Sequence, residues 1–332
     1  MMSILEEVVA SGLSVPAACA AVGLSERRFW YWRARGEQGD FERHRKPEAV
    51  RPVNALMPVE QEAIRRAVAC AEWADMSCRE LSVRIMERDG LYVSPYSVWL
   101  YEKRLGLAGH RGKRRRMGNR RGEAPDTGGL SGPNQLWAWD ITKLRTEVKY
   151  RFWYLYAVLD QWSRKVVGWL VSDREDSETA QWVWEKAILA EGLTAEQMPR
   201  SLSDRGSQMR SRSTNEFFRD LGVAQLFSRP RTPNDNPFVE SLFSTVKTAP
   251  RYPGWFPTPE AAEEYFGVFI PWYNGEHLHT RIGMVTPQQR HDGSWVRILA
   301  EREVIKAQTM ASRREFNCGN QVLNKKPESA IS

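Results

Sequence analysis

The sequence predicts a multidomain chain: all-α helix-turn-helix units at the N terminus, followed by an α/β domain with a mixed sheet. Three observations predict it. Residues 1–107 carry short apolar stretches at helical spacing, separated by Gly and Pro breaks. Near residue 134 the pattern changes to alternating and continuous apolar runs, the mark of strands. The 332 residues, 42% of them hydrophobic, are enough for more than one core.

The first unit spans 1–38. Helices read at 4–10, 15–22 and 26–33, with a Gly23-Leu24-Ser25 turn before the third and Ser25 as its N-cap. A small second helix, a Gly turn and a capped basic third helix make a helix-turn-helix pattern. The third helix carries Arg27, Arg28, Tyr31 and Arg33, side chains that reach phosphates or base edges. A plain three-helix packing unit is the alternative. Residues 39–56 are polar, hold Pro47 and Pro52, and read as a linker.

A second helix-turn-helix unit spans 57–107, with helices at 59–73, 78–88 and 95–105. Asp89-Gly90 breaks the chain, Ser94 caps the last helix and Pro95 fills its first turn. That helix carries Trp99, Tyr101, Lys103 and Arg104. A basic linker follows over 108–132. Residues 103–121 hold nine Lys or Arg and no acid: Lys103, Arg104, Arg111, Lys113, Arg114, Arg115, Arg116, Arg120 and Arg121. A solvated charge run is one reading. Contact with a DNA backbone is the other, and it would make affinity strongly salt-dependent.

From 134 the elements run strand (135–143), strand (151–159), strand (165–171), helix (177–191), strand (201–203), helix (213–221), strand (224–227) and helices (237–248, 259–273). That is the order of an RNase H-like α/β domain, assigned to 133–292. Residues 293–332 read as a C-terminal tail, basic and polar from 311, disordered or clasping a partner.

Three carboxylates in this domain stand in unusual settings. Asp140 lies in an aromatic, strand-like run, Trp137-Ala138-Trp139-Asp140-Ile141-Thr142, where an ionised carboxylate is costly unless something pairs with it. Asp204 ends an apolar segment and runs into a Gly turn. Glu240 follows with 35 residues between them, on a helix whose apolar face is Phe238, Val239, Leu242, Phe243 and Val246. In the RNase H-like order all three meet at one end of the sheet. Brought together they would repel by roughly 4 kcal/mol per close pair at intermediate dielectric. Divalent cations resolve that conflict, and hard oxygen ligands suit magnesium or manganese. Two such ions about 4 Å apart serve an in-line phosphoryl displacement. The residues therefore point to metal-dependent phosphodiester chemistry.

The net charge of +7 fits a polyanionic partner. Four scattered cysteines read as free thiols in a reducing compartment. No apolar run reaches the roughly 18 residues a membrane span needs, and no signal peptide is recognisable. A cytoplasmic, nucleoid-associated protein is expected. His277, His279 and His291 lack the spacing of a structural zinc site and read as packing or hydrogen-bonding histidines. Arg205 reads equally as a phosphate contact or a surface residue.

Residues 134–292 resemble the retroviral-integrase-like catalytic core of bacterial insertion-sequence DDE transposases of the copy-out–paste-in family. Trp137 stands three residues before the first acid. Ser203–Gln208 matches a Ser-Asp-x-Gly-Ser-Gln string. Residues 235–241 match Asp-Asn-x-x-x-Glu-Ser, Lys247 follows Glu240 by seven, and Tyr273-Asn274, His279 and Thr286-Pro287 follow. One departure is clear: His277-Leu278 replaces an Arg-Pro. The resemblance implies Asp140, Asp204, Glu240 and Lys247 as catalytic residues. Asp140 and Asp204 would hold a shared ion, Glu240 would hold or orient a second, and Lys247 would touch DNA near the cut. It implies double-stranded DNA, both element ends and target, as partner, and a homo-oligomer on that DNA. Two alternatives remain: a nuclease of the same fold without strand transfer, and a DNA-binding regulator with an inactive core.

Overall fold

The computed structural model describes residues 2–37, 52–107, 129–228 and 236–323. The chain divides into two compact units, Met1–Met57 with Ala311–Ser332, and Pro58–Met310.

In the first unit, helices α1 (Met2–Ala10), α2 (Val15–Ala21) and α3 (Glu26–Glu37) close around Leu5, Ala18, Cys19 and Phe29. Pro at the start of α2 pre-sets its first turn. Gly23, at φ 67°, makes the left-handed turn between α2 and α3.

The second unit begins with α4 (Pro58–Ala69), α5 (Cys78–Asp89) and α6 (Pro95–Arg104). Ser77 and Glu80 cap the start of α5 reciprocally, and Gly90 ends that helix at φ 64°. Ser94 caps α6 by accepting from the Ser97 N–H at 3.0 Å.

The sheet has strand order β3-β2-β1-β4-β5. Its strands are β1 (Leu136–Arg145), β2 (Phe152–Asp160), β3 (Val166–Ser172), β4 (Arg200–Ser203) and β5 (Gln225–Phe227). The first three form an antiparallel meander, and β4 and β5 add parallel to β1. The sheet is therefore mixed, as expected. Because β1 is central, its alternating side chains feed two cores. Trp137 and Trp139 pack with α7 (Ser177–Ala190) and α8 (Arg212–Asp220). Leu136, Ala138 and Leu144 pack with α9 (Pro237–Thr248) and α10 (Pro259–Gly275). A Cβ on Gly168 would meet the Ala187 Cβ at 2.8 Å, so glycine is what lets β3 and α7 approach.

A short α11 (Pro287–His291) leads into α12 (Trp295–Leu323), 29 residues long. This corrects the expected polar tail. Its polar residues have protein partners rather than water alone. Arg302 pairs with Glu87 at 2.7 Å and donates to the Met284 carbonyl, Thr309 accepts from the Tyr92 N–H, and Asn317 donates to the Val53 and Ala55 carbonyls. Buried Arg, Thr and Asn break the apolar period that marks a helix in sequence. Helix α5 also touches the end of α10, where Arg84 donates to the Glu276 carbonyl at 3.1 Å.

Candidate active site

Asp140 sits in the middle of β1, on the face that packs against α9. The parallel register pairs Trp137 with Ser201 and Ala138 with Leu202. Two further residues along, that register brings Asp204, just past the end of β4, beside Asp140. Trp139 ties the two strands by donating its indole N–H to the Ser201 hydroxyl at 2.9 Å. Glu240 lies in the first turn of α9. The helix is anchored by Val239, Leu242, Phe243 and Val246, and at its N-cap the Asn236 amide donates to the Trp139 carbonyl at 3.4 Å.

Asp140 carries a strongly perturbed carboxyl. Burial pushes the Asp140 carboxyl up to about 7 despite a hydrogen bond from the Ile141 N–H, and the charges of Asp204, Glu240 and Glu175 push in the same direction. Burial also raises Glu240. Asp204 keeps its orientation through the Gly206 N–H, which donates to Oδ1 at 2.8 Å. A Cβ on Gly206 would lie 2.9 Å from the Met209 Sδ and 3.1 Å from the Asp204 Oδ1, so a side chain here would have to displace both.

These donors fit hard divalent cations: carboxylate oxygens, with negative charge in excess. Among the described residues, no three His, Cys, Asp or Glu side chains already converge on one ion position. A two-ion arrangement asks less, namely one pair of carboxylates per ion, with Asp140 common to both.

Lys247 lies two helical turns from Glu240, and its ammonium donates to the Thr142 hydroxyl at 3.0 Å. Glu175 was missed in the sequence. Its charge reaches Asp140, it faces Lys143 at 3.8 Å, and its carbonyl accepts from the Gln208 amide at 3.1 Å. It stands in an open depression of about 770 Å³ lined by Tyr154, Asp173, Asp176 and Gln208 among others. The acidic run 173–176 looks in sequence like capping for α7, and Asp176 does cap it. That local role hides its neighbour's proximity to the acids.

Other expected residues land elsewhere. Arg205 donates to the Ser228 carbonyl at 3.1 Å. Asn274 clasps both the N–H and the carbonyl of Val166 at 2.9 Å, and Thr286 caps α11, so these late motif positions are structural. His279, held near a pKa of about 4 by burial and by the charges of His277, Arg164 and Arg281, bridges Val285 through its backbone. His277 stacks on Tyr273, and His291 bonds Glu191 at 2.8 Å. Arg27, Arg28 and Arg33 lie on α3, with Arg33 over the Trp30 ring. On α6, Lys103 lies over Trp99 and Arg104 over Tyr101. Arg111, Lys113, Arg114, Arg115, Arg116, Arg120, Arg121 and Asp235 lie outside the described residues.

Comparison with known proteins adds a family context. Residues 131–233 and 221–287 match integrase core domain families. The chain is 30% identical over 161 residues to the transposase for insertion sequence element IS904 of Lactococcus lactis, covering 47% of this chain and 60% of the relative. It is 33% identical over 163 residues to the transposase InsF for insertion sequence IS3A of Escherichia coli, covering 48% of this chain and 54% of the relative. The chain thus spans little more than half the length of these relatives. Among solved structures, the HTLV-2 integrase catalytic core domain in complex with magnesium is similar at 18% identity and a TM-score of 0.37, over 48% of this chain and 97% of that one. Over these residues the chain resembles integrase core domains and insertion-sequence transposases. No helix among the described residues is long and apolar enough to cross a membrane.

Proposed function

We propose that this chain is a DNA transposase, which recognises the ends of its element, cuts them and joins the freed 3′ hydroxyl to new DNA. The observation that supports this reading is the buried Asp140 carboxyl, raised by burial and by the charges of Asp204 and Glu240. Similarity to insertion-sequence transposases supports it.

In this reading Asp140 and Asp204 would hold a shared magnesium or manganese ion, and Glu240 would hold or orient a second. When bound, the ions lower the cost of the charge that develops on the attacking and leaving oxygens. The chain's own residues do the rest. The rigid strand β1 fixes Asp140, the Gly206 turn aims Asp204, and the apolar face of α9 holds Glu240 in register with both. Lys247 lies two turns further along α9, where its charge steadies a phosphate and its developing negative charge. Arg27, Arg28 and Arg33 on α3, Lys103 and Arg104 on α6, and the basic stretch from Arg111 to Arg121 grip the duplex backbone. The protein works as a homo-oligomer on DNA, since two ends must be held together.

The test is incubation of the full chain with circular DNA bearing the element's ends, in magnesium and in EDTA. A magnesium-dependent nick with a strand joined to new DNA supports a transposase. A nick without joining favours a nuclease. End-specific binding without cutting in any divalent metal favours a regulator with an inactive core.

A further inference from the structure

We infer that Thr142 is a positioning residue, which sets the Lys247 ammonium over the phosphate-binding side of the acid cluster while leaving its charge intact. The inference rests on the reading of Lys247 given above.

Residues 136, 138, 140, 142 and 144 of β1 share one face of the strand. On that face Leu136, Ala138 and Leu144 are buried in the core shared with α9 and α10. Asp140 is the cation-binding candidate, which leaves Thr142 as the other polar side chain in the row. It is only 8% exposed, so its hydroxyl needs a partner. The partner is Lys247, at 3.0 Å from the opposite element. The strand beneath is stiff, because β1 pairs along this stretch with β2, Thr142 opposite Leu155. A flexible four-carbon lysine on the last turn of a helix is thereby tied to a rigid strand, two residues from Asp140.

The tether is uncharged, and that sets it apart. Two other lysines of this domain face carboxylates, Lys165 with Glu191 at 2.8 Å and Lys143 with Glu175 at 3.8 Å. Lys247 is held by a neutral hydroxyl. One of its three N–H groups is used for orientation, and two remain for an anion. A carboxylate in place of Thr142 would orient the lysine as well but would neutralise it, and would add a further negative charge to the cluster. A hydroxyl orients without either penalty.

The experiment compares the full chain with Thr142→Val, Thr142→Ser, Lys247→Ala and the Thr142→Val/Lys247→Ala double variant. Its first readout needs no catalysis: the rate at which an amine-acylating reagent modifies Lys247, followed by mass spectrometry against exposed Lys149. Thr142→Val is expected to change the Lys247 rate severalfold at an unchanged Lys149 rate, and Thr142→Ser to restore it. The second readout is magnesium-dependent cleavage. Thr142→Val is expected to lower the single-turnover rate about tenfold, the scale of one hydrogen bond to a charged group, and to add nothing in the Lys247→Ala background. An unchanged Lys247 rate in Thr142→Val overturns the inference. So does a Thr142→Val defect that persists undiminished in the Lys247→Ala background, because Thr142 would then act through Asp140. If the parent chain shows no cleavage while acylation behaves as expected, the tether stands and the transposase reading fails.

Discussion

Two carboxylate clusters lie on the same sheet and behave oppositely. Near the start of β1, Asp160 accepts from the Ser163 N–H and hydroxyl and from the Asn134 N–H, while Glu191 is bound by Lys165 and His291, each at 2.8 Å. Those partners outweigh burial and hold Glu191 down at about 2. Further along, Asp140 has one backbone donor and three like charges, and it is pushed up to about 7. Both sites bury acid. In the first, Glu191 bonds directly to a lysine and a histidine, whereas the Asp140 carboxylate accepts from one backbone N–H. A cluster that supplies its own counter-charge is structural, and one that leaves it out is arranged for a ligand that brings it.

The largest expected effect would break the comparison at its active side. Glu240→Gln keeps the shape of α9 and removes the charge. It should lower magnesium-dependent cleavage by about a thousandfold or more while end binding, read by gel shift, persists. Near-parental cutting by this variant would sink the triad assignment.

Glu191→Gln attacks the structural side. It should cost about 1–2 kcal/mol in urea unfolding at neutral pH, because it strips a partly buried Lys and His of their partner. The pH dependence has a definite direction. The folded-state value of Glu191 lies below its ordinary one, so its contribution is complete above about 4.3 and is lost as pH falls toward 2. The stability gap between parent and variant should therefore close on acidification through that window. A gap that widens there would contradict the pairing.

A subtler change separates geometry from charge. Gly206→Ala leaves every acid in place but forces a Cβ against Met209 and Asp204. Cleavage should fall about tenfold, with a smaller change in melting temperature. Equal activity would show that the turn adapts without moving Asp204.

The smallest effect sharpens the contrast. Without metal, Asp140→Asn should raise stability by about 1 kcal/mol, since it removes a repelled, desolvated charge. Added magnesium should then raise the melting temperature of the parent and not of the variant. A destabilised Asp140→Asn protein in EDTA would argue that the cluster is not under repulsion.

Much of this was legible in the chain. Strand and helix positions in the core fell within one or two residues of their observed bounds, because Asp176 caps α7, Ser211 caps α8 and a Pro at its first turn starts α9. The acids stood out because Asp140 interrupts an aromatic run and Glu240 an apolar helix face. What escaped was long-range or locally disguised. Glu175 belongs to a run that also caps α7. Helix α12 hides its period behind Arg302, Thr309 and Asn317, whose partners lie far away in sequence.

The sequence by itself determined which segments are strand or helix, which faces are apolar, and which acids stand where an unpaired charge is costly. Those properties depend on spacing of two to four residues, which any short window contains. The tertiary structure decided what pairs with what. It chose that Glu191 would meet Lys165 and His291 while Asp140 would meet Asp204, Glu240 and Glu175, and that Lys247 would rest on Thr142. Desolvation and Coulomb energy depend on distances across the fold, so two carboxylates acquire opposite chemistry only once the sheet and its helices have closed.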